Sequence, residues 1–250
     1  MMKIFEKRNE TEFKDALLKE VDGLKELSKA LEFQDHLLVP KVYNVDEKIL
    51  HIEKLNSTIS SKKSLYILGE ILAKMHKKVY DQYGYDQDNY IGLNPQKNSL
   101  SDNWGNFFVE YRLRYQLSLV KNTNAKNIFI KTLDHNQEKL ENFLNEHTKH
   151  PSIVHGDLWS GNVIYGKKKV YLIDPAVYFG DREVDLAMTE MFGGFGVEFY
   201  QAYEKEYPLS VEYDAKKIIY NLYHYLNHYN LFGSGYLGGC EDGFELIEKL

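Results

Sequence analysis

The sequence predicts an α+β fold, with short strands gathered near its start and at 153–173 and a mostly helical remainder. Three observations carry this expectation. Short alternating runs gather near the start, at 3–7 and 37–55, and a further group lies at 153–173. Helical periodicity occupies much of the remainder. A chain of 250 residues is long enough to bury a sizeable core in one large domain or two lobes.

Composition narrows the classes. Hydrophobic residues make up 43% and charged residues 27%, an ordinary globular balance. The net charge of −6 argues against nonspecific binding to nucleic acid or to an anionic membrane. A single cysteine, Cys240, excludes an intramolecular disulfide, and no zinc-ligand spacing accompanies it. The first residues lack the apolar core of a signal peptide, and no apolar run reaches bilayer length. The expectation is a cytoplasmic protein in a reducing compartment.

Taken in order, Lys3 to Lys7 reads as a short strand. From Thr11, the residues Phe13, Leu17, Val21, Leu24, Leu27 and Leu31 recur at spacings of four, four, three, three and four, one face of a helix. Glu20 falls on or near that face, where a carboxylate needs a cation or hydrogen-bond donors to offset desolvation. Residues 37–55 read as two strands joined at Asn44 to Lys48, with Pro40 near a strand start or on an edge. Leu65, Leu68, Ile71, Leu72 and Met75 mark the next helix. His76 at its end is expected to interact with free terminal carbonyls. Residues 83–98 form a loop dense in Gly, Asp, Asn and aromatics, a setting in which functional residues often occur. Helical patterns follow at 104–119 and 128–147, with an exposed polar connection at 121–127.

Residues 152–174, SIVHGDLWSGNVIYGKKKVYLID, organise the rest. A short apolar run leads into the polar loop His155 to Asn162. Two alternating runs around Gly166-Lys167-Lys168-Lys169 then give a β-hairpin signature. The hairpin folds Asp174 back beside the loop, so that Asp157, Asn162 and Asp174 converge. Two carboxylates and an amide oxygen are hard ligands suited to Mg²⁺. The spacing H-x-D-L-x-x-x-N matches the catalytic loop of kinases, in which the Asp is the base and the Asn holds metal, and Asp174 stands where the kinase metal-binding Asp stands. After it, Pro175-Ala176 replaces the Phe-Gly of protein kinases, and the fixed φ of proline implies a rigid segment.

Two further patterns lead elsewhere. Gly233 to Gly238 spells G-x-G-x-x-G, but a helical stretch precedes it and twelve residues remain after it, so no dinucleotide unit is expected. His224 and His228 have the i, i+4 spacing of a zinc helix. Tyr225 stands where a zinc hydrolase has its Glu and no third ligand is apparent, so a helix face lining or supporting a substrate cleft is the expectation.

The segments HGDLWSGN, DPAVYFGDREVDLAMTEMFGGF and YHYLNHYNLFGSGY, with YGYDQDNYIGLNPQKN and NWGNFFVEYRLRYQL upstream, resemble the fructosamine kinase (ketosamine-3-kinase) family over nearly the whole chain. HGD alone also suits aminoglycoside and choline kinases. Trp159-Ser160, the DNYIG…PQ…N segment and the GGF after Asp174 point to the ketosamine branch. The resemblance implies a protein-kinase-like fold in two lobes, a small strand-bearing lobe over residues 1–56 and a larger, mostly helical lobe over residues 57–250. It also implies transfer of the γ-phosphoryl group of ATP to the 3-hydroxyl of a ketosamine, on a free amine or a protein lysine. Asp157 is then the base, and Asn162 and Asp174 hold Mg²⁺. Phe5 to Asn9 resembles the family's Phe-x-Lys-x-Asn strand, making Lys7 the phosphate lysine and Glu20 its partner; otherwise they are a surface lysine and a helix-flank glutamate. The backbone from Glu53 to Leu55 is placed against adenine. Asp88, Asn89 and Asn98 are substrate-side candidates, with Trp159 as a further candidate for contact or support. Asp185 either braces the catalytic loop or is a first-turn acid favoured by the helix dipole.

Kinase-like small lobes begin with two strands joined by a Gly-rich loop, whereas no glycine precedes Gly23 here. Either the start of the sequence is misplaced or the phosphate lid is lacking; the second case implies a reduced small lobe, weak ATP binding and a bare lysine strand open to self-association. An aminoglycoside- or choline-type kinase and a nucleotide-binding protein with a decayed lobe are the alternative readings.

Overall fold

The computed structural model describes residues 3–250. The small lobe is built on the antiparallel sheet β1-β4-β3, formed by β1 (Ile4–Arg8), β3 (Val42–Val45) and β4 (Ile49–Glu53). Lys7 pairs with Leu50 and Phe5 with Ile52. Helix α1 (Ala16–Ala30) lays Leu17 and Val21 on Leu50 and Ile52, a small separate core. Its last turns, with Leu27 and Ala30, reach the main core. One helix thus touches both cores.

The helix starts later than the apolar spacing predicts. Asn9 Oδ1 accepts from the Thr11 backbone N–H (3.0 Å) and hydroxyl (2.7 Å), while Asn9 Nδ2 donates to the Phe13 carbonyl (2.8 Å). These side-chain bonds compete with helical ones and hold the segment as a turn. Phe13 packs instead against Tyr90, ring centroids 5.0 Å apart and planes tilted by 33°. Residues 37–55 contain three strands, not two. Before the β3–β4 hairpin, β2 (Leu37–Leu38) joins another sheet, and Pro40 lies between β2 and β3.

In the large lobe, α2 (Lys62–His76) begins with a capping box in which Ser61 and Ser64 satisfy each other's backbone N–H. It packs on α7 (Val197–Glu206) so closely that a Cβ on Gly69 would lie 2.1 Å from the Phe199 carbonyl. The segment read as loop at 83–98 contains β5 (Tyr83–Gly84) and the hairpin β6 (Asn89–Ile91)–β7 (Asn94–Gln96), turning at Gly92 with φ +57°. After β8 (Leu100–Ser101), α3 (Trp104–Phe107) passes through a π-helical stretch, Phe108–Arg114, into α4 (Tyr115–Leu119). Helix α5 (Thr123–Glu146) begins earlier than expected because Asn122 accepts the Ala125 N–H (3.1 Å).

The central strands are β9 (Ser152–Val154), β10 (Val163–Tyr165), β11 (Val170–Leu172) and β12 (Tyr178–Gly180), arranged in sheets β8-β5-β12-β9 and β10-β11-β2. Helices α6 (Glu183–Met191), α8 (Tyr213–Phe232) and α9 (Leu237–Lys249) complete the lobe. Gly233, at φ +85°, ends α8, so the G-x-G-x-x-G run follows a helix, as its context predicts. Among the described residues no helix is long and apolar enough to cross a membrane.

Candidate active site

The loop following β9 is fixed from beneath. Asp185, fully enclosed in α6, accepts the backbone N–H of His155 (2.7 Å) and of Gly156 (2.9 Å), one on each carboxylate oxygen. His76 Nε2–H also donates to it (3.2 Å), and His76 Nδ1 accepts from the Tyr203 hydroxyl (2.8 Å), which Arg182 contacts at 3.1 Å. Burial pulls the Asp185 carboxyl upward, but the His76 and loop hydrogen bonds hold it below its ordinary pKa. Burial keeps His76 neutral by pushing its pKa down. The Asp185 carboxylate therefore meets the loop backbone directly. His76, expected at free helix carbonyls, is instead a buried link in this brace, because Asp185 and Tyr203 both reach its ring.

His155 performs a second tie. Its Nε2–H donates to the Ile173 carbonyl (2.9 Å) and its Nδ1 faces the Asp157 N–H (3.3 Å). Ala176 N–H returns to the His155 carbonyl (2.9 Å). Gly156 sits between these contacts at φ +81°, where a Cβ would lie 2.1 Å from the Ala176 carbonyl. Only glycine suits both demands.

Asn162 Nδ2 donates to the Asp157 carbonyl (2.8 Å) and carboxylate (3.0 Å). Burial pushes the Asp157 carboxyl up to about 7, opposed by the Asn162 hydrogen bond and reinforced by the Asp174 charge. A base poised there is matched to proton transfer near neutral pH. Asp174 adopts φ +51°, a conformation that Asp tolerates better than most residues, and its carboxylate is 45% exposed. Its Oδ1 lies 2.7 Å from Lys7 Nζ, which lies 2.8 Å from Glu20 Oε2. Burial lowers the Lys7 pKa, yet the two carboxylates more than reverse this and leave it raised. Burial raises Glu20 to about 7 against the pull of Lys7, since one ammonium is shared between two acids.

Lys7, Glu20, Asp157, Asn162 and Asp174 line one cavity of about 640 Å³. A second, of about 340 Å³, is lined by Trp159, Phe192, His228, Phe232 and Tyr236. Asp157, Trp159, Gly92 and Leu93 border both cavities. The Asn162 amide turns its nitrogen onto Asp157, which leaves Oδ1 free of that bond as an oxygen ligand. With the half-exposed Asp174 carboxylate, these hard oxygens fit Mg²⁺.

Other candidates are placed differently. Asp88 holds Lys97 (2.6 Å) and the Asn98 N–H (2.8 Å) outside both cavities. Asn89 borders the first cavity, but its side chain is engaged by the Val177 carbonyl, Gln96 and Asn98. These three residues brace the β6–β7 hairpin, because their polar atoms meet neighbouring backbone and amides. Glu53 and Leu55 lie outside the cavity lining, and the N–H groups of Glu53 and Lys54 are bonded to Lys41 and Lys3. His224 is buried outside both cavities, while His228 lines the second.

Sequence reasoning missed Arg112. This buried cation lies 4.0 Å from the Tyr178 ring centroid and donates to the Lys97 carbonyl (2.7 Å) and Asn98 Oδ1 (2.8 Å), anchoring the hairpin. A lone arginine within the apolar run FFVEYRL was its available signal. Phe192, Phe232 and Tyr236 were also missed as cavity residues; each lies at or just past a helix end, where sequence alone does not separate a cavity aromatic from a core one.

The sequence model described as fructosamine kinase matches residues 1–249. A probable ketoamine kinase of Synechocystis sp. is 46% identical over 175 residues, 69% of this chain and 58% of its own length. The chloroplastic protein-ribulosamine 3-kinase of Arabidopsis thaliana is 44% identical over 176 residues, 68% of this chain and 52% of its own. The matched stretch thus spans little more than half the length of these relatives. A crystal structure assigned as a fructosamine-3-kinase from Thermobifida fusca superposes with a TM-score of 0.88 at 27% identity, covering 100% of this chain and 86% of that one.

Proposed function

The chain belongs to the fructosamine kinase family, and from that premise we propose that it transfers the γ-phosphoryl group of ATP to a sugar hydroxyl of a ketosamine. One observation carries the proposal: Asp157 stands where the two cavities meet, between the acids and lysine of one and the aromatic wall of the other. A nucleotide in the first and a sugar in the second would present their reacting atoms to the same carboxylate.

In this reading Asp157 accepts the proton of the attacking hydroxyl as its oxygen bonds to the γ-phosphorus. The bond from that phosphorus to the β-phosphate oxygen breaks, and ADP leaves. Lys7, oriented by Glu20, supports the phosphates. Asn162 and Asp174 would hold Mg²⁺, whose role is to neutralise charge on the phosphate oxygens. Asp185 and His76 keep the loop, and so Asp157, at a fixed height in the cleft. Positioning and charge neutralisation suffice for such chemistry, and no nucleophilic side chain is needed. The acceptor is a glycated small amine or a glycated protein lysine, as the names of the relatives suggest. A single buried cysteine and use of ATP suit a reducing, nucleotide-rich compartment.

The test is an acceptor panel. The protein with Mg-ATP is offered fructosyl and ribulosyl amines, kanamycin and choline, and products are read by mass spectrometry. A gain of one phosphoryl group on the ketosamines is expected. Transfer to choline or kanamycin with none to any ketosamine would overturn the assignment.

A further inference from the structure

Five rings form one connected wall in the second cavity. Trp159 meets Phe192 with centroids 5.8 Å apart, Phe192 meets His228 at 5.3 Å, and His228 meets Phe232 at 5.6 Å and Tyr236 at 4.9 Å. These rings do not sit in the core. Trp159 is 36% exposed, Phe192 38% and Phe232 63%. Exposed aromatic surface gathered in one concave place marks a binding site, not packing.

The chemistry of the wall is selective. Among the described residues, Asp157 is the only charged side chain lining this cavity, and no lysine or arginine lines it to receive an anionic group. The His228 tautomer is also set: its Nδ1–H donates to the His224 carbonyl (2.8 Å), so Nε2 is an acceptor, and burial keeps the ring neutral. Ring faces and one nitrogen lone pair favour apolar groups and an ammonium N–H.

We infer that this wall is a subsite for the substituent carried on the substrate's nitrogen, and that it selects amines bearing aromatic or aliphatic groups over those bearing a carboxylate. The inference rests on the ketosamine reading. It adds the part of the substrate beyond the sugar. With the reacting hydroxyl at Asp157, the sugar spans the shared border at Trp159 and the nitrogen substituent extends toward Phe192, Phe232 and Tyr236.

The test uses 1-amino-1-deoxyfructose carrying methyl, benzyl or carboxyethyl on nitrogen. Steady-state transfer is measured for the wild type and for Phe232→Ala, whose exposure makes loss of fold no concern. Burying a phenyl ring is expected to lower KM for the benzyl adduct about tenfold relative to methyl, with carboxyethyl weakest. Phe232→Ala should remove most of the benzyl advantage and change the methyl adduct far less. Equal KM values for all three adducts, tightest use of the carboxyethyl adduct, or an equal loss on all three in Phe232→Ala would overturn the subsite. Trp159 fluorescence supplies a second readout, since the only other tryptophan, Trp104, is buried. Benzyl-selective quenching without transfer would retain the subsite and sink the kinase reading. No transfer and no quenching would sink both.

Discussion

The two sides of the cleft are held by different means. On the large-lobe side, Asp157 and Asn162 stand on a base of buried groups: Asp185 at 1% exposure, with His76 and His155 at 0%. Each polar atom of the Asp185 carboxylate has a donor. On the small-lobe side, Lys7 and Glu20 stand on a separate small core of Leu17, Val21, Leu50 and Ile52, with Val42 and Val45 packed against it. That lobe meets the rest through α1, through β2, which pairs with β11 and buries Leu37 in the main core, and through partly exposed contacts: Lys7 with Asp174, Tyr90 with Asp15, Lys19 with Gln87. Accessible ion pairs are each worth about 0–1 kcal/mol, whereas stripping a buried charge of its partners costs several times more. The base is therefore fixed, and the phosphate-side lysine is adjustable.

The sharpest way to break this contrast is Asp185→Ala. It leaves the His155 and Gly156 N–H groups and the His76 ring without their acceptor, at an expected cost of about 3 kcal/mol or more in urea unfolding. Turnover should fall with it as the loop loses its support. Glu20→Gln acts on the other side and should cost little stability. By loosening Lys7 it should reduce kcat/KM for ATP about tenfold, an effect of roughly 1.4 kcal/mol.

Asp157→Asn addresses the stability that the fixed side gives up for its base. The Asp157 carboxyl is raised to about 7 from an ordinary value of 3.8. The folded state thus holds this proton more tightly than the unfolded chain, and stability declines as pH rises from about 4 through about 7. The amide removes that dependence. The variant should be more stable than wild type at pH 8 by on the order of 1 kcal/mol, with the gain gone at pH 4, as thermal melts will show. Smallest of all is Tyr90→Phe, which removes one contact between the lobes. A two- to threefold rise in KM for ATP is expected, equivalent to about 0.5 kcal/mol, with thermal stability nearly unchanged.

The same contrast governs what the sequence made legible. The catalytic loop and its hairpin are contiguous, so spacing alone brought Asp157, Asn162 and Asp174 together. Lys7 and Glu20 were paired through the resemblance of Phe5 to Asn9 to the family's strand and the place of Glu20 on an apolar helix face, and the fold sets them 2.8 Å apart. The supports were harder to read. His76 lies 109 positions from Asp185, and nothing local marks the pairing. Asp88, Asn89 and Asn98 were read as substrate-side candidates from a polar loop and from the resemblance; the partners of Asn89 and Asn98 in the fold, the Val177 carbonyl and Arg112, are distant in sequence and left no local mark. The late start of α1 came from Asn9 and Thr11, side-chain competition that apolar periodicity does not register.

The most direct test of the account is the pH profile of phosphoryl transfer for wild type and Asp157→Asn, with Mg-ATP and one accepted ketosamine. For wild type, kcat/KM should rise through a pKa of about 7 as Asp157 loses its proton, then level off. For Asp157→Asn, kcat should fall by about 10²–10⁴-fold and that limb should vanish, while ATP still binds. A variant that turns over at the wild-type rate, or keeps the same pH limb, would contradict the placement of the base.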